Sequence, residues 1–546
     1  MRGWYLFILG LFALSDLAAQ TKDSDFSGLK IGKNYRIYPS NIAQTEVFLT
    51  KSPLDENILF AGCNTLNFLP FFISEGIYTT INGGDSWQGN DTCTGAPIAF
   101  HGGDPGITID KNGTFIITRL GRAPFVGLFS HYSYDNGQTW SSQKVISTDD
   151  LERASLTTDA NAASPFRGRS YASWVQFASP FPLMFSYTIN GAQSWSVPKQ
   201  VNNPNIRCAG GDLAMGPNGE IYLCWAGVTD VSPFKEILVG FASSANGGMD
   251  WNVNENAFPM NGITGILSNK NNIRVNGLPC MAVDTTQGLR RGWIYIVTGQ
   301  KNLAPAGSDP DIVMYRSADA GLTWSEGIRV NQDALNNGKT QYFANIHVDK
   351  FGAVNIIFYD DRTTTADSTG VFLARSPDGG NSWKEYEISD HHFEPKPIGG
   401  LGQGYQGDII DLNSTNSKIW TVWMDNSSGV YQIWTVPIDF VNLEGADDLE
   451  TRVNSPGLIR NYPNPFQSQT KIGFRIASPG FVSLKVFDVL GNLIAEPVSE
   501  FRSPGYFEVL FKPGDGLVQP RSASRVYFYR LTVNDRVGTG KMVQLK

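Results

Sequence analysis

The chain has 546 residues, too many for one ordinary hydrophobic core, so several domains or a repeat array are expected. Only 17% of the residues are charged, whereas glycine (57 residues) and aromatic residues (12%) are plentiful, which is typical of a turn-rich all-β protein. The net charge of −8 and the lack of a basic run argue against nucleic acid as a partner.

The N-terminus has the pattern of a secretory signal, predicted over residues 1–19. Arg2 precedes the apolar run Trp4 to Leu14, and Leu17-Ala18-Ala19 ends in a small residue suited to cleavage. The apolar run is too short to cross a bilayer, and no later segment reaches the ~20 apolar residues required. The sequence therefore predicts export, via the periplasm, of a protein without a transmembrane segment.

One turn pattern, Ser/Thr-x-Asp/Asn-x-Gly-x-Ser/Thr-Trp with small variations, occurs six times. In its clearest copy Ser317, Asp319, Gly321 and Thr323 lead to Trp324. The Asp or Asn side chain can accept hydrogen bonds from the turn's own backbone, Gly supplies a positive φ, and the indole is expected to fill the gap between strands. The six copies end at Trp87, Trp140, Trp195, Trp251, Trp324 and Trp383.

The spacing of these tryptophans predicts the architecture. Successive ones are 53, 55, 56, 73 and 59 residues apart, and a period of about fifty residues with several short strands indicates a β-propeller, here over residues 30–440. The pattern predicted for the first two strands of a blade recurs seven times, which favours seven blades over six. A strand near Tyr35–Tyr38 is expected to close the ring on the last blade. The longest spacing indicates an insertion near Phe258–Asn276 over one face.

The composition changes after the propeller. Asn442 to Pro456 is acidic and lacks periodicity, so residues 441–460 are predicted to form a linker. Residues 461–546 contain short strands, which predict a small immunoglobulin-like β-sandwich.

This last domain resembles the type A sorting domain of the type IX secretion system. The resemblance is carried by Tyr462-Pro463-Asn464-Pro465-Phe466, by Val486-Phe487-Asp488-Val489-Leu490-Gly491 and by the terminal Lys541-Met542-Val543-Gln544-Leu545-Lys546. It implies delivery by the type IX secretion machinery, and a protein that is secreted or held at the outer-membrane cell surface.

The six turns resemble the Asp-box (BNR) repeats of sialidases and related propellers. A sialidase-like site implies three arginines for the substrate carboxylate, an acidic proton donor and a tyrosine nucleophile. Arg36 lies in Tyr35-Arg36-Ile37-Tyr38-Pro39, which is similar to the family's Phe-Arg-Ile-Pro motif but has an extra Tyr. The other candidates stand at or just before first strands, where a propeller can present them to a shared pocket: Asp104, Arg153, Arg207, Arg274 and Tyr405.

Two functions follow from these resemblances. One is an exported sialidase-like glycosidase that acts on or recognises extracellular glycans, with acidic sugars as the expected substrates. The alternative is a non-catalytic surface propeller that binds glycan or protein ligands. No cofactor is expected, and the five histidines lack metal-ligand spacing. Cys63 and Cys93 flank the first turn motif and could be bridged.

Overall fold

The computed structural model describes residues 28–68, 71–92, 101–121, 123–152, 154–399, 404–441, 457–462, 464–476, 479–502, 505–513, 525–533 and 536–545. The predicted signal segment, most of the predicted linker, Cys93 and Arg153 lie outside these ranges.

Seven antiparallel sheets follow one another between residues 28 and 441 of the described chain. Strands β1 (Leu29–Ile31) and β2 (Tyr35–Arg36) come first and belong to the last sheet. Blade 1 consists of β3 (Ala43–Lys51), β4 (Leu59–Phe68), β5 (Phe71–Thr80) and β6 (Gln88–Asn90), and blade 2 of β7 (His101–Ile109), β8 (Phe115–Gly121), β9 (Gly127–Ser133) and β10 (Lys144–Ser147). Blade 3 consists of β11 (Ser155–Thr158), β12 (Ser170–Val175), β13 (Leu183–Thr188) and β14 (Lys199–Gln200). Blade 4 consists of β15 (Cys208–Met215), β16 (Ile221–Val228), β17 (Glu236–Ser244) and β18 (Asn252–Pro259).

A small hairpin separates blades 4 and 5. It consists of β19 (Gly265–Leu267) and β20 (Ile273–Val275), and it is the insertion that the long tryptophan spacing predicts. Blades 5 to 7 are β21 (Cys280–Val283), β22 (Ile294–Gln300), β23 (Asp311–Ser317), β24 (Ile328–Arg329); β25 (Gln341–Val348), β26 (Val354–Asp360), β27 (Gly370–Ser376), β28 (Lys384–Glu387); and β29 (Asp411–Ser414), β30 (Lys418–Asp425), β31 (Gln432–Phe440) with β1 and β2 on its outer edge.

The ring is closed in two ways. Strands β1 and β2 both pair with β31, so the N-terminal segment completes blade 7 as the sequence predicts. Blade 7 also meets blade 1 directly, since the Val47 N–H donates to the Ile409 carbonyl at 3.1 Å. Second strands such as β16, β22 and β26 are buried along their whole length because each blade packs between two neighbours. The seven-bladed β-propeller is therefore confirmed.

Each of the six predicted turns joins the third and fourth strands of its blade. In the copy at residues 317–324, the Ser317 hydroxyl donates to Asp319 at 2.7 Å and accepts the Gly321 N–H at 2.8 Å. The Asp319 carboxylate accepts the Thr323 N–H at 2.9 Å and its hydroxyl at 2.6 Å. The turn is thus tied by its own side chains, as predicted.

The indoles do more than fill the gap between strands. Trp324 of blade 5 packs on Phe241 of blade 4, with ring centroids 5.2 Å apart, and Trp251 of blade 4 packs on Phe185 of blade 3 at 5.1 Å. Each indole thus seals the junction with the preceding blade. The sequence predicts that the indole fills a gap between strands, whereas in the structure it fills the gap between two blades.

The C-terminal residues form a separate pair of sheets from β32 (Gly457–Tyr462), β33 (Thr470–Ile476), β34 (Gly480–Phe487), β35 (Leu493–Arg502), β36 (Gly505–Phe511), β37 (Arg525–Val533) and β38 (Arg536–Gln544). One sheet has the order β32-β33-β36 and the other β35-β34-β37-β38. Phe474, Leu484 and Leu531 share one hydrophobic cluster between the two sheets, which makes this part a small β-sandwich.

Among the described cysteines, Cys63, Cys208 and Cys224 are buried free thiols. Burial raises the pKa of Cys208 to about 12, so this thiol is inert at neutral pH.

Candidate functional site

The seven innermost strands surround a central channel with a cavity of about 360 Å³, lined mainly by glycine, hydroxyl and apolar side chains. The carboxylates in its wall hold neighbouring blades together. Asp212 accepts the Met281 N–H at 2.8 Å, and Asp411 accepts the Leu49 N–H at 2.8 Å. The wall of the channel is therefore structural, and chemistry has to be sought at its mouth.

The mouth is the face at which the innermost strands begin. Four of these strands carry a bulge near that end with a residue at positive φ: Glu46 (57°), Asp104 (52°, next to Gly103 at 80°), Gly210 (61°) and Phe343 (51°). Glycine adopts this conformation without strain, as Gly210 does, whereas other residues rarely occupy it. The strained backbone at Glu46 and Asp104 marks these two positions as functional candidates.

Asn64 joins these two carboxylates. Its Nδ2 donates to Glu46 at 2.6 Å and to Asp104 at 2.9 Å, while its Oδ1 accepts the Asp104 N–H at 2.6 Å. Because one nitrogen contacts both groups, the two carboxylate oxygens lie within about 5.5 Å of each other. The fully buried Glu75 supports the same bulge by accepting the Gly103 N–H at 3.1 Å.

A second group at the mouth is built on the β19–β20 hairpin. The guanidinium of Arg274 stacks on the ring of Tyr405, 3.9 Å from its centroid, and the Arg274 N–H donates to the Gly404 carbonyl at 2.7 Å. Asn276 donates to Asp408 at 2.5 Å. Burial lowers the pKa of Arg274, and nearby carboxylates counteract this shift: Asp408, Glu152, Glu46 and Glu236.

The two groups adjoin each other. The Thr45 hydroxyl donates to the Gln406 carbonyl at 2.7 Å, and a Cβ on Gly407 would lie 3.2 Å from Cγ of Glu46. Residues 405–408 thus run alongside Glu46. The described residues of the mouth combine an aromatic ring, the guanidinium of Arg274, amides and several carboxylates. These groups are suited to binding sugar hydroxyls.

Two other predicted site residues, Arg36 and Arg207, lie outside this group, and Arg153 is not among the described residues. Arg36 is on the outermost strand of blade 7, 6.0 Å from the Trp434 ring, and not at the mouth. Arg207 packs against Phe181 and Phe234 of blades 3 and 4. Of the six predicted residues, Arg274 and Tyr405 come together, and Asp104 lies at the same mouth. The predicted cluster of three arginines is not formed by Arg36, Arg207 and Arg274.

Two other charged residues near strand ends, Arg362 and Asp311, have structural partners. Arg362 binds Glu385 through both terminal nitrogens at 2.7 and 2.8 Å and donates to Asp360 at 2.7 Å. Asp311 is 2% exposed and pairs with Arg329 at 2.7 Å. Arg362 is thus paired within blade 6 and Asp311 within blade 5, and neither offers an open site.

Sequence reasoning missed Glu46, Asn64 and Asp408. Glu46 resembled an ordinary first residue of a strand. When the two innermost strands are aligned on their bulges, Glu46 matches Asp104. The pattern of strand residues in the sequence favours an alignment shifted by two residues, in which this match is not visible. Asn64 stands on a second strand, where nothing local distinguishes it.

No family model matches the chain, and no curated protein matches it. Solved structures with a similar fold include a protein of unknown function from Dyadobacter fermentans, 12% identical with a TM-score of 0.43, covering 76% of this chain and 100% of that one. An ulvan lyase is 11% identical with a TM-score of 0.46, covering 75% and 98%. The leech intramolecular trans-sialidase is 10% identical with a TM-score of 0.39, covering 66% and 70%. At these scores no property of those proteins is carried over to this chain.

Within the ranges described above, no helix is long and apolar enough to cross a membrane. The described side chains also contain no group of three or more His, Cys, Asp or Glu residues that could hold a metal ion.

Proposed function

We propose that the protein is an exported β-propeller that binds extracellular glycan at the mouth of its central channel. The observation that carries this proposal is the pair Glu46 and Asp104, held by Asn64 on two strained bulges of adjacent blades. Carboxylates accept hydrogen bonds from neighbouring sugar hydroxyls, and the Tyr405 ring offers a flat apolar surface beside them. Both bulges place a carboxylate at the mouth, whereas the equivalent bulges of blades 4 and 6 carry Gly210 and the buried Phe343.

Hydrolysis of the bound glycan is the second candidate. The two carboxylate oxygens that Asn64 bridges lie no more than about 5.5 Å apart, and this upper bound admits the separation of about 5–5.5 Å that retaining glycosidases use. In such a reaction one carboxylic acid protonates the glycosidic oxygen while the other carboxylate attacks the anomeric carbon. Water then hydrolyses the glycosyl ester, so the anomeric configuration is retained. The arginine cluster of a sialidase-like site is not required for this chemistry.

The experiment is a binding and turnover screen of the full chain against polysaccharides. Binding is measured by affinity electrophoresis and turnover by release of reducing ends. We expect Glu46→Gln and Asp104→Asn to weaken binding, whereas Asp85→Asn, an exposed acid in the turn on the opposite face, leaves it unchanged. Retained configuration in the released sugar would support hydrolysis. A wild-type protein that binds no glycan would refute the proposal.

Export is part of the proposal, and the N-terminal signal pattern and the last domain support it. Deleting residues 461–546 tests this part. We expect the shortened chain to accumulate inside the cell envelope, and normal delivery of the shortened chain to the surface or the medium would reject the sorting role.

A further inference from the structure

Arg207 has an unusual environment on the same face as the channel mouth. It stands directly before β15, and its guanidinium lies 4.4 Å from the ring centroid of Phe181 and 4.5 Å from that of Phe234. Phe177 contributes a third ring at 5.8 Å. The rings cover the faces of the guanidinium and leave its edge, where the N–H donors are, for another partner.

That partner is not an acidic residue of the described chain. Arg207 forms no ion pair with a described carboxylate, and its buried Nε–H has no acceptor there. Three other arginines of the propeller, Arg329, Arg362 and Arg375, by contrast each bind an aspartate within 2.7 Å. A guanidinium without a carboxylate partner can bind an external carboxylate or sulfate, because its planar donors match either group bidentately.

Exposed aromatic side chains lie on the loops of this face, and Phe177, Phe181 and Phe234 are the ones that pack on the guanidinium. The loops between the second and third strands of blades 2, 3 and 4 repeat the dipeptide Pro-Phe, at Phe125, Phe181 and Phe234. Phe125 is 54% exposed, Phe234 39% and Phe177 37%. An exposed aromatic patch of this kind beside a charged group is typical of a binding surface. The flat rings can pack against the C–H face of a sugar.

We propose that Arg207 forms, with Phe177, Phe181 and Phe234, a subsite for an anionic sugar unit, one that carries a carboxylate or a sulfate ester. The subsite rests on the proposed function, since it binds a neighbouring unit of the glycan held at the mouth. Arg207 is three residues from the bulge at Gly210, about 10 Å along the strand at about 3.3 Å per residue, so it stands beside the blade 4 part of the mouth. A glycan that extends from the mouth across blade 4 can meet it. The glycan is therefore an acidic polysaccharide.

The test compares acidic and neutral glycans on the full chain. The acidic probes are galacturonan and alginate oligosaccharides for carboxylates and dextran sulfate for sulfate esters, and the neutral probes are dextran, mannan and xylan. We expect at least one acidic probe to bind more tightly than every neutral one. Arg207→Lys keeps the charge but loses the planar donors, so its affinity for that probe should fall about tenfold or more. Its affinity for neutral probes should not change.

Two further variants make the result specific. Phe234→Leu removes one of the rings that hold the guanidinium and should weaken the same acidic probes. Arg169→Lys is the matched control, because Arg169 also packs on two rings, Phe166 and Tyr187, but lies against Gly247 of the next blade.

Three results would overturn the subsite while leaving glycan binding intact. They are an unchanged acidic preference in Arg207→Lys, an equal loss in Arg169→Lys, and a wild-type protein that binds neutral probes as tightly as acidic ones. If no probe of either kind binds, the proposed function fails together with the subsite.

Discussion

The ammonium of Lys270 and the carboxylate of Asp361 lie 2.5 Å apart, and neither side chain is exposed to solvent. Lys270 stands in the turn of the β19–β20 hairpin, which carries Arg274, whereas Asp361 follows β26 of blade 6. Asp361 also accepts the Thr340 N–H at 2.8 Å. This ion pair anchors the insertion over the mouth, so the position of Arg274 depends on a contact made some distance away.

Removing the ammonium should therefore both destabilise the protein and disturb the mouth. In Lys270→Met the Asp361 carboxylate stays buried without its partner, which should lower the free energy of unfolding by about 3–5 kcal/mol. Urea denaturation measures this loss. The control is Lys339→Met, since Lys339 is only half-buried and donates to the Asp361 and Thr364 carbonyls. Equal stability losses in the two variants would contradict the anchoring role.

The glycine of each turn motif should be needed for space as well as for its conformation. Gly321 has a φ of +87°, and a Cβ there would lie 2.1 Å from Cε1 of Phe241 in the preceding blade. Gly321→Ala should cost roughly 2–4 kcal/mol, from the left-handed conformation and from overpacking together. Thermal and urea denaturation measure this cost.

Ala192 provides the matched control for this prediction. It occupies the equivalent position of blade 3 at a φ of 64°, and the residue of the preceding blade that corresponds to Phe241 is Ser130, which leaves more room. Ala192→Gly should change stability by less than about 1 kcal/mol. A Gly321→Ala protein as stable as the wild type would show that the blades can separate without cost.

The turn motifs explain how much of this fold the sequence predicts. All hydrogen bonds of the turn at residues 317–324 join residues within eight positions, so the pattern is visible locally and its period reveals the blades. The pair Glu46 and Asp104 could not be predicted in this way. It depends on the bulges of two strands and on Asn64 from a third, and none of the three is near the others in sequence. The position of Arg207 directly before a strand is visible in the sequence, but the rings that surround it come from two other loops, and their contact with it could not be predicted.

Strain at the mouth should be measurable separately from function. Asp104→Gly and Asp104→Ala both remove the carboxylate, but only glycine accepts the φ of 52° without strain. The glycine variant should therefore be about 1 kcal/mol more stable than the alanine variant, as measured by urea denaturation. Both variants should bind glycan more weakly than the wild type. Equal stability of the two would mean that the bulge is relaxed in solution.

The contact between His391 and Asp425 should make stability depend on pH. The pKa of His391 is raised from 6.5 to about 9, mainly by its hydrogen bond to Asp425. Burial acts in the opposite direction, and the hydrogen bond to Asp390 adds to the increase. His391 lies 3.1 Å from Asp425 and 2.8 Å from Asp390, and its ring packs on Trp434 with centroids 4.5 Å apart. The imidazolium is therefore the form that the fold binds.

The pKa of His391 is higher in the folded than in the unfolded state. The stabilisation that His391 gives to the folded protein is therefore fully present below pH 6.5 and is lost as the pH rises through about 9. The expected loss is as much as roughly 3 kcal/mol in the free energy of unfolding. Urea denaturation between pH 6 and pH 9.5 measures it, with His391→Gln as the control that removes the titrating group. The difference between wild type and variant should shrink across this range, and a constant difference would show that His391 is not held as the cation.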